Sequence, residues 1–201
     1  MLELLGHSRS INVRKVLWLL DELGLPFAHD EAPAPEALRA LNPNALVPVL
    51  RDGGFALWES NAICRYLAAR AGRLDLLPAE AAARARVEQW MDWQAADLNG
   101  AWRYAFMAKV RRSAAHADPA AIAASEAQWN RHMRILDAQL AQGGPYVLGA
   151  GFTLADIVLG LSAQRWLASP IERPALPAVQ AYHAILGERP GFRRHGANGM
   201  P

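Results

Sequence analysis

Glu59 and Ser60 stand where a helical pattern begins, directly after two short apolar runs, in the stretch "LVPVLRDGGFALWESNAICRYLA" (46–68). A helix N-terminus carries unpaired N–H groups and a partial positive charge, so it holds carboxylates well. Ser60 adds a hydroxyl to such an anion site, and Glu59 can accept hydrogen bonds from an α-amino group, so together they could grip both ends of a free amino acid. Taken alone, the pair equally fits a plain helix cap. A second polar set, Ser8, Ser10 and Asn12, sits in "GHSRSINVRK" (6–15), at the start of another helical pattern. Other chemistries are poorly served. The single Cys64 cannot form an intrachain disulfide and fits a reducing compartment. The six histidines show no HxxxH or HxH spacing, so neither zinc nor haem is indicated and no metal is expected.

The elements that must position these residues fall into two groups. "LELL" (2–5) reads as a strand, and Val13, Val16, Leu17 and Leu20 mark one face of a helix stopped by Gly24 and Pro26. "FAHDE" (27–31) reads as a second strand, followed by a helix from near Pro35 that Asn42-Pro43 ends. "VPVLR" and "FALW" flank the turn signal Asp52-Gly53-Gly54, so they form a hairpin with Val47-Pro48 opening its first strand. From Glu59 the pattern is helical again, with Gly72 as its C′ residue. The order β-α-β-α-β-β-α ends at about residue 77. Beyond Leu77-Pro78 the segments are alanine-rich and helical. Trp129, Met133, Leu136 and Leu140 form an apolar stripe, and Thr153 and Asp156 form a capping box flanked by the staple pair Phe152 and Ile157. The Gly-rich end "HGANGMP" reads as a loose tail.

With 52% hydrophobic and 20% charged residues the composition is that of an ordinary globular chain. A formal net charge of +2 argues against a nucleic-acid partner, and the pairs at 111–112 and 193–194 read as solvated arginines. Charges interrupt every longer apolar stretch, so no membrane span is expected. Glu3 breaks the first apolar run, which argues against a secretory signal and makes the cytoplasm the default location.

A β-α-β-α-β-β-α unit followed by an all-helical part, with Val47-Pro48, Glu59-Ser60 and the late capping box, resembles the cytosolic glutathione transferases over nearly the whole chain. The resemblance implies an α/β thioredoxin-like N-terminal domain (1–77) with a mixed sheet and a cis-proline. It implies a linker (78–84) and an all-α C-terminal domain (85–201) that forms the second-substrate pocket. The implied activity is conjugation of the glutathione thiolate to electrophilic hydrophobic compounds, a detoxification chemistry. Glutathione is then the co-substrate and a homodimer the expected assembly. The backbone of Val47, turned outward by Pro48, would pair with the peptide's cysteinyl part, Leu46 would belong to the same glutathione site, and Glu59 and Ser60 would hold the γ-glutamyl end. A thioredoxin or glutaredoxin carries CxxC at the first helix, where this chain has Ser10-Ile11-Asn12-Val13. A hydroxyl there suits another molecule's thiolate. Ser10 matches the serine of theta-like members and Ser10-x-Asn12 the Thr-x-Asn pair of bacterial ones, which ranks Ser10 first, Asn12 second and Ser8 third as thiol activators.

One departure from the family pattern concerns the glycyl carboxylate. Many members place a Lys or Arg just before V-P, whereas this chain reads Asn44-Ala45-Leu46, leaving Arg39, Arg14 or Lys15 as substitutes. For the second substrate, "NGAWRYAFMAKV" (99–110) supplies Trp102, Arg103, Tyr104 and Phe106, with Trp166 facing them, although aromatics at this spacing are more often core. Asp97 is a weak candidate for contact with a neighbouring subunit. The rivals are a non-catalytic relative that kept the fold, and a glutathione-dependent isomerase, dehalogenase or disulfide reductase. Some of the latter need a catalytic cysteine, and Cys64, inside a helix, reads as a buried apolar residue.

Overall fold

The computed structural model describes residues 1–201. The first part runs β1 (Leu2–Leu5), α1 (Ile11–Leu23), β2 (Phe27–Asp30), α2 (Pro35–Leu41), β3 (Val49–Asp52), β4 (Phe55–Trp58) and α3 (Ser60–Arg70). Local chemistry sets most of these limits. Gly24 closes α1 in the left-handed region at φ 61°, its N–H returning to the carbonyls of Leu20 and Asp21. Pro35 sits in the first turn of α2, and Gly53 turns the β3–β4 hairpin at φ 60°. Gly72 follows α3 at φ 64°, as its C′ role requires.

The strands form one mixed sheet in the order β2-β1-β3-β4, with β1 parallel to β2 and antiparallel to β3. The last β1–β3 pair is Leu5 with Val49, so β3 begins after Val47-Pro48 and the dipeptide does not open the strand as expected. Beyond Leu5 the chain turns away at Gly6, whose N–H pairs instead with the Asp30 carbonyl. A Cβ at Gly6 would lie 2.7 Å from both Val13 Cγ2 and Val47 Cβ. This glycine therefore lets Val47 back onto the β1–α1 loop. The Val47-Pro48 peptide is cis.

The second part is helical: α4 (Ala81–Trp93), a π-helical segment (Gln94–Leu98), α5 (Asn99–Lys109), α6 (Pro119–Leu140), α7 (Leu154–Ala168), α8 (Pro177–Leu186) and α9 (Pro190–His195). Trp129, Met133, Leu136 and Leu140 are buried, as their stripe predicts. α7 is the central helix, buried at every residue from Leu154 to Trp166. Its start is held by Asp156, whose carboxylate accepts hydrogen bonds from the Thr153 N–H (2.8 Å) and the Val147 N–H (2.9 Å). The core is continuous between the two parts. α1 packs on α3 in front and on α7 and α9 behind, and Trp18 lies 5.0 Å from Phe192 between ring centroids. The last residues are not loose: the buried Arg14 donates to the carbonyls of Met200 (3.3 Å) and Pro201 (3.0 Å). A buried guanidinium needs acceptors, and the tail supplies them.

Candidate functional site

Ser10 is the N-cap of α1, with extended backbone at φ −80° and ψ 124°, yet its hydroxyl caps nothing. Its N–H is bonded to the His7 carbonyl and its own carbonyl accepts from the Arg14 N–H, so the backbone is anchored while the hydroxyl is free. Asn12 follows in the first turn, half-buried. Glu59 likewise occupies an N-cap position without a side-chain cap bond. Its φ of 71° lies in a region that costs a non-glycine residue roughly 1–3 kcal/mol. The helix-cap reading thus fails for Glu59: an exposed carboxylate is held in an unfavourable backbone conformation without bonding the helix it precedes. Ser60 is the first residue of α3 and is buried.

A narrow cleft joins these residues. It is lined by Asn12, Asn42, Asn44, Leu46, Val47, Pro48, Glu59 and Ser60. A larger cavity of about 570 Å³ begins at Ser10 and Asn12 and runs between the β1–α1 loop, the π-helical segment and α5. Asn12 lines both spaces, and Ser10 lies in the same turn at the mouth of the cavity. Ser8 lines neither. The larger cavity has Ile11, Ala95, Ala96, Trp102, Phe106 and Met107 as apolar wall and Arg103 at its edge. The sites expected at Trp102, Arg103 and Phe106 therefore coincide with a real space.

Other residues sit differently from what the sequence suggested. Trp166 is buried and donates its Nε1–H to Asn130 Oδ1 (2.8 Å), so it packs on α6 and does not face the cavity. One step round the helix, Arg165 faces it instead. Tyr104 packs edge-on against His116 at 4.9 Å, away from the cavity. Arg111 is not merely solvated surface, because it lines the cavity and lies 5.5 Å from the Phe106 ring centroid. Of the substitutes for the absent cation, Arg14 is committed to the tail and Lys15 to the core, while exposed Arg39 does not line the cleft. In its place are two amides: Asn42 donates to the Leu46 carbonyl (2.8 Å) and accepts from the Asn44 N–H (3.0 Å), which fixes the loop before Val47. Asp97 is exposed and lines neither space.

A buried polar chain runs from the first turn of α3 to the wall of the larger cavity. Lys15 Nζ donates to Gln94 Oε1 (2.7 Å) and Asn61 Oδ1 (3.4 Å), and Asn61 Nδ2 donates to the Met91 carbonyl (2.9 Å). Gln94 Nε2 in turn donates to Asn99 Oδ1 (2.9 Å) and Ser162 Oγ (3.1 Å), and the Trp102 indole donates to the same Asn99 oxygen (3.1 Å). The first turn of α3 is thus tied through α1 and the π-helical segment to the cavity wall. No spacing rule marked Lys15 or Gln94, because their role exists only where α1, α3, the π-helical segment and α7 meet.

Burial pushes the Lys15 pKa down to about 8 and the neighbouring Cys64 thiol up to about 12. The thiol is therefore no nucleophile at neutral pH. For Lys15 the folded pKa lies below the unfolded one, so the unfolded chain binds more protons and stability rises with pH above about 8. Cys64 acts oppositely, its stabilisation being lost as pH rises from about 9 toward 12. Between pH ~8 and ~9, urea midpoints should rise for the wild type and stay flatter for Lys15→Met. Parallel curves for the two proteins would show that Lys15 is not held in a desolvated, proton-releasing environment.

A family model described as the glutathione S-transferase N-terminal domain matches residues 9–70, which hold the whole cleft, and one for the C-terminal domain matches 119–195. The chain is 37% identical to glutathione S-transferase GstB of Escherichia coli over 96% of its own length and 97% of that protein's. This chain belongs to the glutathione S-transferase family. Glutathione S-transferase 3 of Zea mays is 35% identical over 96% of this chain and 92% of its own. The crystal structure of a theta class glutathione S-transferase from Xanthomonas axonopodis pv. citri with glutathione bound superposes with a TM-score of 0.89 at 42% identity. It covers 97% of this chain and 96% of that one. The mixed four-stranded sheet followed by helices is therefore the transferase fold, with its two recognised domains falling on the two parts of the chain.

Proposed function

We propose that this glutathione transferase binds glutathione along the cleft of Leu46, Val47, Pro48, Glu59 and Ser60, with Ser10 holding the thiolate and Asn12 assisting. Glu59 accepts from the α-amino group, and Ser60 with the α3 N-terminus holds the α-carboxylate. The thiolate then adds to an electrophilic compound seated on Trp102 and Phe106, forming the C–S bond while the leaving group departs. The observation that carries this reading is the unpaired Ser10 hydroxyl at the mouth of the cavity, one helical turn shared with Asn12, which lines both spaces. Holding thiolate and electrophile together removes much of the entropic barrier. We divide the chain at 1–77 and 85–201, the connection 78–84 being helical from Ala81 onward. Family membership supports a homodimer and a detoxifying role. No helix is long and apolar enough to cross a membrane, and a cytoplasmic location is part of the proposal.

Isothermal titration with glutathione tests the grip on the γ-glutamyl end. A hydrogen bond to a charged group is worth about 1.5–3 kcal/mol, so Glu59→Gln should weaken binding by roughly 10- to 100-fold. Ser60→Ala should weaken it by roughly 3- to 10-fold, because the helix N-terminus remains. Unchanged affinity in Glu59→Gln would remove the amino-group role from this carboxylate.

A further inference from the structure

Arg165 is an anomaly in the middle of α7. It is 3% exposed, its Nε has no hydrogen-bond partner, and no carboxylate lies within ion-pair distance of it. Burial and the nearby Arg14 and Arg111 push its pKa down to about 9, which leaves it a cation at neutral pH. Burying an unpaired charge is expensive. The compensation available within the chain is aromatic: its guanidinium carbon lies 4.5 Å from the Trp102 ring centroid and 4.2 Å from that of Phe106. Elsewhere several arginines are paired with carboxylates, as Arg51 is with Glu3, Arg70 with Asp52 and Arg189 with Glu22. Around the cavity there is no such pairing. Arg9, Arg103, Arg111 and Arg165 line it together with His7, no acidic residue lines it, and none of the four arginines forms an ion pair.

An apolar wall under a cluster of unpaired guanidiniums is complementary to a compound with a flat hydrophobic body and an acidic group. We propose that the electrophile this enzyme accepts is an anion, an aromatic compound bearing a carboxylate, with Arg165 as the residue that sets this specificity and Arg111 as its partner. The proposal rests on the transferase reading above. The arene lies against Trp102 and Phe106, the carboxylate takes up charge-assisted hydrogen bonds from Arg165, and the reacting carbon faces Ser10 across the cavity. With an aryl chloride the chemistry is a substitution. The thiol proton goes to solvent, the thiolate sulfur forms the C–S bond, and the C–Cl bond breaks with its electron pair leaving on chloride.

The test uses matched electrophiles, a chlorodinitrobenzoate and the corresponding chlorodinitrobenzamide, each corrected for its uncatalysed rate with glutathione. The readout is the ratio of their kcat/KM values, in which any contribution of the arginines to holding glutathione cancels. The wild type should favour the acid by about tenfold or more, Arg165→Gln should bring the ratio near one, and Arg165→Lys should retain part of the preference. Arg111→Gln, at an exposed position, is a second variant that should lower the ratio several-fold even if Arg165→Gln fails to fold. A wild-type ratio at or below one overturns the proposal, as does a preference that survives both substitutions. Quenching of tryptophan fluorescence by the unreactive dinitrobenzoate and dinitrobenzamide separates this outcome from failure of the transferase reading. Tighter binding of the acid without any turnover would leave the anion pocket standing and remove the transferase. Turnover of both electrophiles without discrimination would do the reverse.

Discussion

Ser10→Ala is expected to raise the pKa of the bound glutathione thiol by about one to two units and to lower kcat/KM at pH ~6.5 by on the order of 30-fold. An unperturbed thiol near pKa ~8.5 is about 1% ionised at that pH. Lowering it by roughly two units takes about 2.7 kcal/mol. One charge-assisted hydrogen bond supplies about 1.5–3 kcal/mol and a helix N-terminus about 0.3–1 kcal/mol, so a single free hydroxyl at the head of α1 suffices. Alanine deletes the hydrogen bond and leaves the helix terminus. The deficit should therefore shrink to a few-fold at pH ~9.5, where the thiol ionises unaided. Ultraviolet titration of the bound thiolate, with and without the substitution, gives the pKa directly. If the pKa is unmoved, Ser10 is only the residue before a helix, and Asn12→Ala becomes the variant to titrate.

The largest effect on stability is expected at Asp156. Its carboxylate accepts from the N–H groups of Val147 and Thr153, the Thr153 hydroxyl (3.1 Å) and the Tyr182 hydroxyl (3.2 Å). Asp156→Ala leaves these buried donors unmatched, at a cost of about 3–5 kcal/mol, or a fall of roughly 10 °C in Tm for a chain of this size. The pH dependence has a definite sign. Burial, opposed by those hydrogen bonds, raises the Asp156 pKa from 3.8 to about 6. The folded chain thus holds this proton more tightly than the unfolded one, and the stability linked to it is lost as pH rises through about 4 to 6. The wild-type advantage over Asp156→Ala should narrow across that window and then stay constant to neutral pH. An advantage that grows with pH instead would mean that the hydrogen bonds outweigh desolvation at this carboxylate.

These residues also show what kind of information each level carries. The Thr153/Asp156 pair was legible because a capping box is a contact across three residues of one chain segment. The same holds for Gly24 ending α1, Pro35 starting α2 and Gly53 turning the hairpin, where steric limits on one or two residues decide the outcome. Glu59-Ser60 was legible as the head of a helix by the same local rules. That Glu59 caps nothing and adopts a positive φ was not, since the side chain's freedom depends on what surrounds it.

By itself, the sequence determined the order of strands and helices up to about residue 77, the helix heads near Ser10 and at Glu59-Ser60, and the absence of a cysteine where a disulfide exchanger needs one. Those features depend on neighbours a few residues apart, within reach of backbone sterics and capping hydrogen bonds. Tertiary structure alone decided that Lys15 is buried against Gln94, that Val47 rests on Gly6, and that Arg165 faces the cavity while Trp166 turns to Asn130. In a helix buried on every side, as α7 is, no polar face distinguishes one position from the next. The direction in which 165 and 166 point is set by the helices packed against them, α5 for Arg165 and α6 for Trp166, whose contacting residues Trp102, Phe106 and Asn130 lie more than thirty residues away in sequence.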